Sequence, residues 1–157
     1  MARHTIRGNI RLYWFSTEPA DPAAITAAEL AAATDILGVT GGEAAYEMEG
    51  FGVTPSTIPA PDLVTNITGT IPGDVALGDA SIGYYEDTST NPIQDLLTDG
   101  LTGFLLACPR GAATGDPTEF SAATVSSNNR DFSSGNTAAT YAVSFSRGVP
   151  VKGTLVA

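Results

Sequence analysis

The sequence predicts a mainly β protein, either a sandwich or a barrel, with two short helices. About eight short apolar segments, most of them with alternating hydrophobicity, recur along the chain and are separated by turns rich in glycine and proline. The chain has 157 residues, which suits one domain with a single core, and it holds no internal repeat or linker. We therefore expect one domain spanning residues 1–157.

The first strand and the first helix are predicted near the N-terminus. Residues 9–16 alternate, but both faces are largely apolar, so we expect this strand to be covered on two sides. After a loop that contains proline, Thr26 and Glu29 have the spacing of a capping box ahead of Leu30. This pattern predicts a short helix over residues 26–33.

Residues 43–51 are predicted to form a strand with two sharply different faces. Strict alternation places Glu43, Ala45, Glu47 and Glu49 on one face, which is therefore largely acidic. The opposite, packed face then carries Ala44, Tyr46 and Met48.

Residues 52–62 hold three prolines in eleven residues. Proline lacks the N–H that a ladder needs, so this segment is not expected to be a central strand. We expect an extended arm or loop there. Further strands are predicted at 63–71 and 80–86, with a Pro-Gly turn at 72–73 between them.

A second short helix is predicted to begin after Asn91, with Pro92 at its first position and Gly100 as its stop. Asp95 and Asp99 are four residues apart and fall on its exposed side.

The C-terminal third is predicted to be all strand, at 101–109, 118–127, 139–148 and 149–157. The third of these segments alternates cleanly, and its apolar face carries Tyr141, Val143 and Phe145.

The charge of the chain is strongly acidic and unevenly placed. The formal net charge is −10, and 14 of the 17 acidic residues fall between Arg11 and Arg110, where no basic residue occurs. Proteins that bind nucleic acid neutralise phosphates with clustered lysine and arginine, so seven scattered basic residues argue against that class.

Cysteine usage and hydropathy point to a protein made in the cytoplasm. Cys108 is the only cysteine, so no intrachain disulfide can form, and we expect it to be buried. The N-terminus lacks the apolar segment of a signal peptide, and no apolar run approaches the length of a membrane span. We expect no membrane binding by this chain.

Catalysis and metal binding find little support in the residues. His4 is the only histidine, so any Ser-His-Asp or Cys-His site would have to recruit it. Carboxylates could serve a glycosidase, but the aromatic platforms are missing, and a Ca²⁺ or Mg²⁺ site around Glu86 and Asp87 lacks EF-hand spacing. Two explanations of the acidic residues remain: a solvated acidic surface, and an acidic face that is shared between copies of the chain. We expect no cofactor and no enzymatic activity.

Four blocks of sequence, taken in order, resemble the major tail (tail tube) proteins of long-tailed bacteriophages, particularly those that infect actinobacteria. The blocks are "PAAITAAELAAATDI", "YEMEGFGVTPSTIPAPDL", "SIGYYEDTSTNPIQDLLTDGLTGFLLACPRG" and "VSSNNRDFSSGNTAATYAVSFSRGVPVKGTLVA". They cover nearly the whole chain, and their specificity lies in their order and spacing.

The resemblance implies two packed antiparallel sheets with a short helix on the flank. Six copies would form a ring in which strands of neighbouring subunits join into one β-barrel around a lumen. Rings would stack into a tube around a tape-measure protein, ending at tail terminator and baseplate proteins, and DNA would pass through the lumen without specific binding. The protein would be made in the host bacterial cytoplasm and reside in the virion. The chain stops at Ala157, immediately after the "PVKGTL" strand, so no C-terminal immunoglobulin-like domain is expected.

Three groups of residues become candidates for assembly under this hypothesis. An acidic lumen would repel phosphates and let DNA slide, which makes Glu43, Glu47 and Glu49 the lumen candidates. The extended loop 52–62 is expected to contact the neighbouring ring, with the candidate residues Pro55, Ile58, Pro59 and Pro61. The N-terminal arm, residues 1–9, and the first strand carry the third group, which is expected to pair with acidic surfaces of a neighbour: Arg3, Arg7 and Arg11.

Two alternatives stay open at this point. One is a virion component of related fold, such as a tail terminator or a baseplate ring protein, which forms a single ring. The other is a β-sandwich module for adhesion or carbohydrate binding, which predicts a monomer with an exposed aromatic platform.

Overall fold

The computed structural model describes residues 9–38, 43–61, 68–132 and 138–157, and its structure is mainly antiparallel β, as the sequence predicts. The strands are β1 (Arg11–Phe15), β2 (Thr34–Asp35), β3 (Ala44–Glu49), β4 (Val53–Pro61), β5 (Thr68–Leu77), β6 (Ala80–Tyr85), β7 (Thr102–Cys108), β8 (Pro117–Arg130), β9 (Thr140–Arg147) and β10 (Val151–Thr154). Two short helices, α1 (Ala27–Ala32) and α2 (Pro92–Leu96), accompany them in these ranges.

Eight of the strands form one antiparallel sheet, in which seven follow the order β2-β1-β7-β8-β9-β6-β3 and the eighth, β10, pairs with β8. The long strand β8 pairs with β7 on one side, and with β9 and then β10 on the other. In the described part of the chain the end strands β2 and β3 do not pair with each other. The sheet is therefore not a closed barrel in the single subunit.

The sheet bends over and packs against itself. Residues of β1, β7 and β8 share one hydrophobic core with residues of β6 and β9. The Trp14 ring on β1 lies 6.2 Å from the Phe145 ring on β9, measured between centroids. The apolar face of β9 is buried as predicted, and the two packed layers are halves of one continuous sheet.

The other side of β1 and β7 is covered by a second apolar cluster. Phe15, Leu106 and Cys108 pack there with Phe120, and Leu30 of α1 lies against them. The predictions that the first strand is covered on two sides and that Cys108 is buried are confirmed.

The capping box of α1 forms as predicted. The backbone N–H of Glu29 donates to Thr26 Oγ1 at 3.3 Å, and the backbone N–H of Thr26 donates to Glu29 Oε2 at 2.9 Å. The same carboxylate hydrogen bonds lower the pKa of Glu29. The capping box therefore fixes the residue at which the loop ends and the helix that covers the second cluster begins.

Strands β3 to β6 form one long two-stranded ribbon with an interruption. Its inner half, β3 with β6, lies at the edge of the sheet, and its outer half, β4 with β5, forms a separate two-stranded sheet, here called the hairpin. The prediction that residues 52–62 do not form a central strand is confirmed, because both strands of a two-stranded sheet are edge strands, where proline is tolerated. The segment is an extended strand and not an irregular loop. The predicted turn at 72–73 is wrong, since β5 runs through it.

Within the described ranges, none of the helices is long and apolar enough to cross a membrane.

Candidate assembly surfaces

Strand β3 does not keep the strict alternation that its sequence suggests. Its pairing with β6 shifts register between Ala45 and Glu47, so Tyr46 is an extra residue in the strand. Ala45 and Met48 both pack against the core, whereas Tyr46 is 47% exposed. The predictions that Ala44 and Tyr46 lie on the packed face and Ala45 on the acidic face are wrong. The bulge reverses the faces halfway along the strand, so the predicted alternation holds only from Glu47 onward.

Glu43, directly before β3, is fully buried. Its carboxylate accepts hydrogen bonds from the backbone N–H groups of Ile93 and Gln94 at 3.2 and 3.3 Å, and a short one from the hydroxyl of Tyr141. The N–H groups in the first turn of a helix have no partner within the helix, and a negative charge at this end is favourable. The prediction that Glu43 faces a lumen is therefore wrong, since its charge caps α2 inside the subunit.

Asn91, the predicted cap of α2, has a different role. It occupies the N-cap position but makes no side-chain bond to the helix. Its Oδ1 accepts from the backbone N–H of Asp87 at 2.7 Å, and its Nδ2 donates to the Asp87 carbonyl at 3.0 Å. Asn91 therefore shapes the turn before α2, while Pro92 begins the helix as predicted.

Glu47 and Glu49 remain exposed on β3, beside an exposed aromatic pair. The rings of Tyr46 and Tyr85 lie 4.8 Å apart between centroids, and Tyr85 is 42% exposed. These tyrosines and Glu47 line a groove of roughly 590 Å³, here called the seam groove, together with Arg11 from the opposite end of the sheet. The groove lies between residues at the two ends of the open sheet, where apolar, acidic and basic groups are all accessible.

Of the three candidate arginines, only Arg11 lies in the described part of the chain. It is exposed at the start of β1 and lines the seam groove. Arg3 and Arg7 lie outside the described residues, as do residues 1–8 in general.

The four candidate residues for contact between rings all lie on β4. Pro55, Ile58, Pro59 and Pro61 are paired in register with Val75, Ile71, Thr70 and Thr68 of β5. They belong to a hydrogen-bonded hairpin, and their contact with a neighbouring ring stays a prediction.

The hairpin meets the sheet at what we call the joint, residues 50–52 and 78–79. Gly50 has a φ of +72°, and a Cβ on it would come within 1.9 Å of the Asp79 carbonyl oxygen. Arg147 donates from Nη2 to the Gly50 carbonyl at 2.9 Å, and its guanidinium lies 4.8 Å from the centroid of the Phe51 ring. Burial lowers the pKa of Arg147, and the charge of Glu119 opposes that shift.

Acidic residues in the passage 81–100 serve local structure. Glu86 forms a salt bridge with Arg130 at 2.9 Å, and Asp99 accepts from the backbone N–H of Asn128 at 2.6 Å. Asp95 is exposed on α2, as predicted. Over the residues that the structure describes, no three metal-ligating side chains come together.

The sequence interpretation missed the joint and Arg147. The available signal was a set of glycines on both sides of the proline-rich segment, at Gly50, Gly52 and Gly78. Arg147 itself carried no signal, because its partners at residues 50 and 51 are almost a hundred positions away.

A family model described as phage tail tube protein matches residues 1–157. Among solved structures, the chain is similar to one in the "Cryo-EM structure of the anti-feeding prophage (AFP) baseplate, 6-fold symmetrised". The TM-score is 0.61 at 11% identity, and the match covers 97% of this chain and 97% of that one. At that identity the likeness concerns the fold. No curated protein matches.

Proposed function

The chain belongs to the phage tail tube protein family, and from that premise we propose that six copies form a ring and that rings stack into the tube through which DNA leaves the virion. The protein is a structural component of the virion tail. The solved relative was described as sixfold symmetrised, which supports the choice of six copies here.

The observation that carries the proposal is that the sheet of the single subunit is open at both ends. Strands β2 and β3 end the sheet without pairing to each other in the described ranges, and the hairpin stands apart from it. Unpaired sheet edges invite pairing with another chain, and closure into a shared barrel removes them. Neighbouring copies in a ring would cover these edges.

The hairpin and the N-terminal arm supply the contacts between subunits in this proposal. The hairpin, which includes the candidates of segment 52–62, reaches the adjacent ring. Arg3, Arg7 and Arg11 pair with acidic groups of a neighbour, and the whole of residues 1–157 acts as one domain. Among the acidic candidates, Glu47 and Glu49 face the lumen.

Further partners follow from the tube itself. We propose a tape-measure protein inside the tube during assembly, and terminator and baseplate proteins at its ends. The subunit would be made in the host cytoplasm and would need neither a cofactor nor an enzymatic step, because each of these contacts is a packing or charge interaction.

Negative-stain electron microscopy of the purified protein tests the proposal. Long hollow tubes are expected, whereas isolated rings would indicate a single-ring component such as a baseplate or terminator protein, and monomers would indicate a binding module. The matched variant replaces residues 53–77 with a short glycine-serine linker. Such a linker can span the gap because a Cβ on Gly78 would lie 3.8 Å from the Gly50 carbonyl oxygen. This variant should fold and form no tubes; normal tubes would exclude the hairpin from stacking.

A further inference from the structure

The joint interrupts the ladder that would otherwise hold the hairpin to the sheet. The last paired residues of the sheet are Glu49 and Ser81, and the first of the hairpin are Val53 and Leu77. Between β3 and β4 and between β5 and β6 lie five residues in all, 50–52 and 78–79, of which three are glycine. Because the ladder is interrupted here and glycine restricts the backbone least, the direction of the hairpin depends on the contacts that the joint itself makes.

Arg147 bridges this interruption from a rigid position. It pairs with Ala123 at the end of β9, a central strand of the sheet. Its Nη2 holds the Gly50 carbonyl, and its guanidinium plane covers the Phe51 ring, which itself packs against the core. One side chain therefore contacts two successive residues of the joint.

We propose that Arg147 is a positioning residue that sets the direction in which the hairpin leaves the sheet. The inference rests on the proposed function, in which the hairpin contacts the next ring. A hairpin held in one direction before assembly loses less conformational freedom when rings stack. Arginine suits this role because its planar guanidinium donates hydrogen bonds and stacks on a ring at the same time, which the compact ammonium of lysine does less well.

Arg147 contacts the joint through only part of its guanidinium group, so the interaction can break when the hairpin moves. Nε of Arg147 is buried and has no hydrogen-bond partner among the described residues. Within the described residues, the guanidinium makes one hydrogen bond to the joint and one ring contact with it, and the charge of Glu119 also acts on it. A small adjustment of the hairpin during stacking then breaks few interactions.

Spin-label distance measurements on the unpolymerised subunit test the proposal. One label is attached at Thr54→Cys on the hairpin and one at Ala142→Cys on β9; both positions are exposed, and the native Cys108 is buried. The parent protein should give one narrow distance distribution. Arg147→Met should raise the displaced population about tenfold, the effect of losing a hydrogen bond to a charged donor. Arg147→Lys should restore part of the narrow population.

Arg110→Met is the matched control, because it removes one positive charge from an exposed site away from the joint. It should leave the distribution unchanged. Should Arg147→Met fail to fold, Phe51→Leu removes the ring face and keeps an apolar side chain in the core. An unchanged distribution in a folded Arg147→Met or Phe51→Leu subunit overturns the proposal.

Tube assembly of the same variants separates this proposal from the proposed function. Slower tube formation by Arg147→Met, with an unchanged unfolding temperature of the subunit, supports both. A broadened distribution with tubes that form at the parental rate supports the positioning role of Arg147 and overturns the role of the hairpin in stacking.

Discussion

The hydroxyl of Tyr141 donates a hydrogen bond to the carboxylate of Glu43 inside the subunit core. The Tyr141 ring stacks on Tyr84, with centroids 4.9 Å apart and planes 12° from parallel. The Tyr84 hydroxyl in turn donates to the carbonyl of Ile36 at 2.9 Å. These contacts link the residue before β3 to the residue after β2. They therefore tie together the two ends of the open sheet from within.

Replacing Glu43 should destabilise the subunit strongly. Glu43→Ala leaves two backbone N–H groups and one hydroxyl without their acceptor, and each buried group left unsatisfied costs about 1–3 kcal/mol. We expect the free energy of unfolding to fall by about 4 kcal/mol, and by about half of that for Glu43→Gln, which keeps one acceptor oxygen. Denaturant unfolding of the unpolymerised subunit measures both. Glu49→Ala, exposed at the end of β3, is the control and should change stability by less than about 0.5 kcal/mol. Equal losses in Glu43→Ala and the control would contradict the capping role.

The buried tyrosines should make the subunit sensitive to alkali. Burial, and then the carboxylate of Glu43, raise the pKa of Tyr84 and Tyr141 above the ordinary value of 10.0. Between the unfolded and the folded pKa the unfolded chain binds fewer protons, so stability is full below about pH 10 and falls as the pH rises above it. Each group contributes a slope of about 1.4 kcal/mol per pH unit.

Unfolding free energies measured from pH 8 to 12 check this expectation. Tyr84→Phe should reduce the slope above pH 10, and the exposed Tyr85→Phe should leave it unchanged. Burial also raises the pKa of the Cys108 thiol to about 11, which adds a slope that begins near pH 9. An identical slope in Tyr84→Phe and the parent would argue against the buried hydroxyl as its source.

Local patterns predicted those parts of the fold whose cause is local. The capping box of α1 depends on two residues three positions apart, and the alternation of β9 depends on its own side chains. The face of Tyr46 depends on a bulge that forms only against β6, and Glu43 is held by a helix fifty residues away. The face of Tyr46 and the burial of Glu43 both depend on contacts with segments that are distant in the sequence. The pattern of residues within β3 therefore could not predict either.

Gly50 should be the least replaceable residue of the joint. The methyl group of an alanine there would clash with the Asp79 carbonyl oxygen. The alanine would also have to adopt the left-handed backbone conformation of Gly50, which costs non-glycine residues about 1–3 kcal/mol. Gly50→Ala should therefore lower the unfolding temperature and hinder tube formation. Gly52→Ala is the matched control, since nothing lies within 4 Å of its Cβ position. Both are measured by thermal unfolding and electron microscopy, and equal tolerance at the two sites would contradict the tight crossing at Gly50.

We expect the N-terminal arginines to promote tube assembly through their positive charge. Reversing Arg3, Arg7 and Arg11 to glutamate should weaken tube assembly more at low salt than at high salt, because ions screen contacts between exposed charges. Light scattering across a salt series measures the rate of assembly. A triple lysine variant keeps the charge and serves as the control. Equal impairment at every salt concentration would argue against pairing with a neighbour's acidic groups.

The exposed acids of β3 should govern how DNA moves through the tube. Glu47 and Glu49 project from an exposed strand next to the seam groove, and six copies per ring would concentrate their charge. Replacing both with glutamine should leave tubes intact or slightly more stable, since crowded like charges repel one another. Replacing both with lysine should create a lining that binds phosphate by counterion release and slows DNA ejection, most strongly at low salt. Glu18 and Asp95, exposed elsewhere, supply a control double lysine variant with the same change in charge. A map of the assembled tube gives the decisive observation: side chains of Glu47 and Glu49 pointing away from the lumen would refute this assignment, whatever the ejection rates.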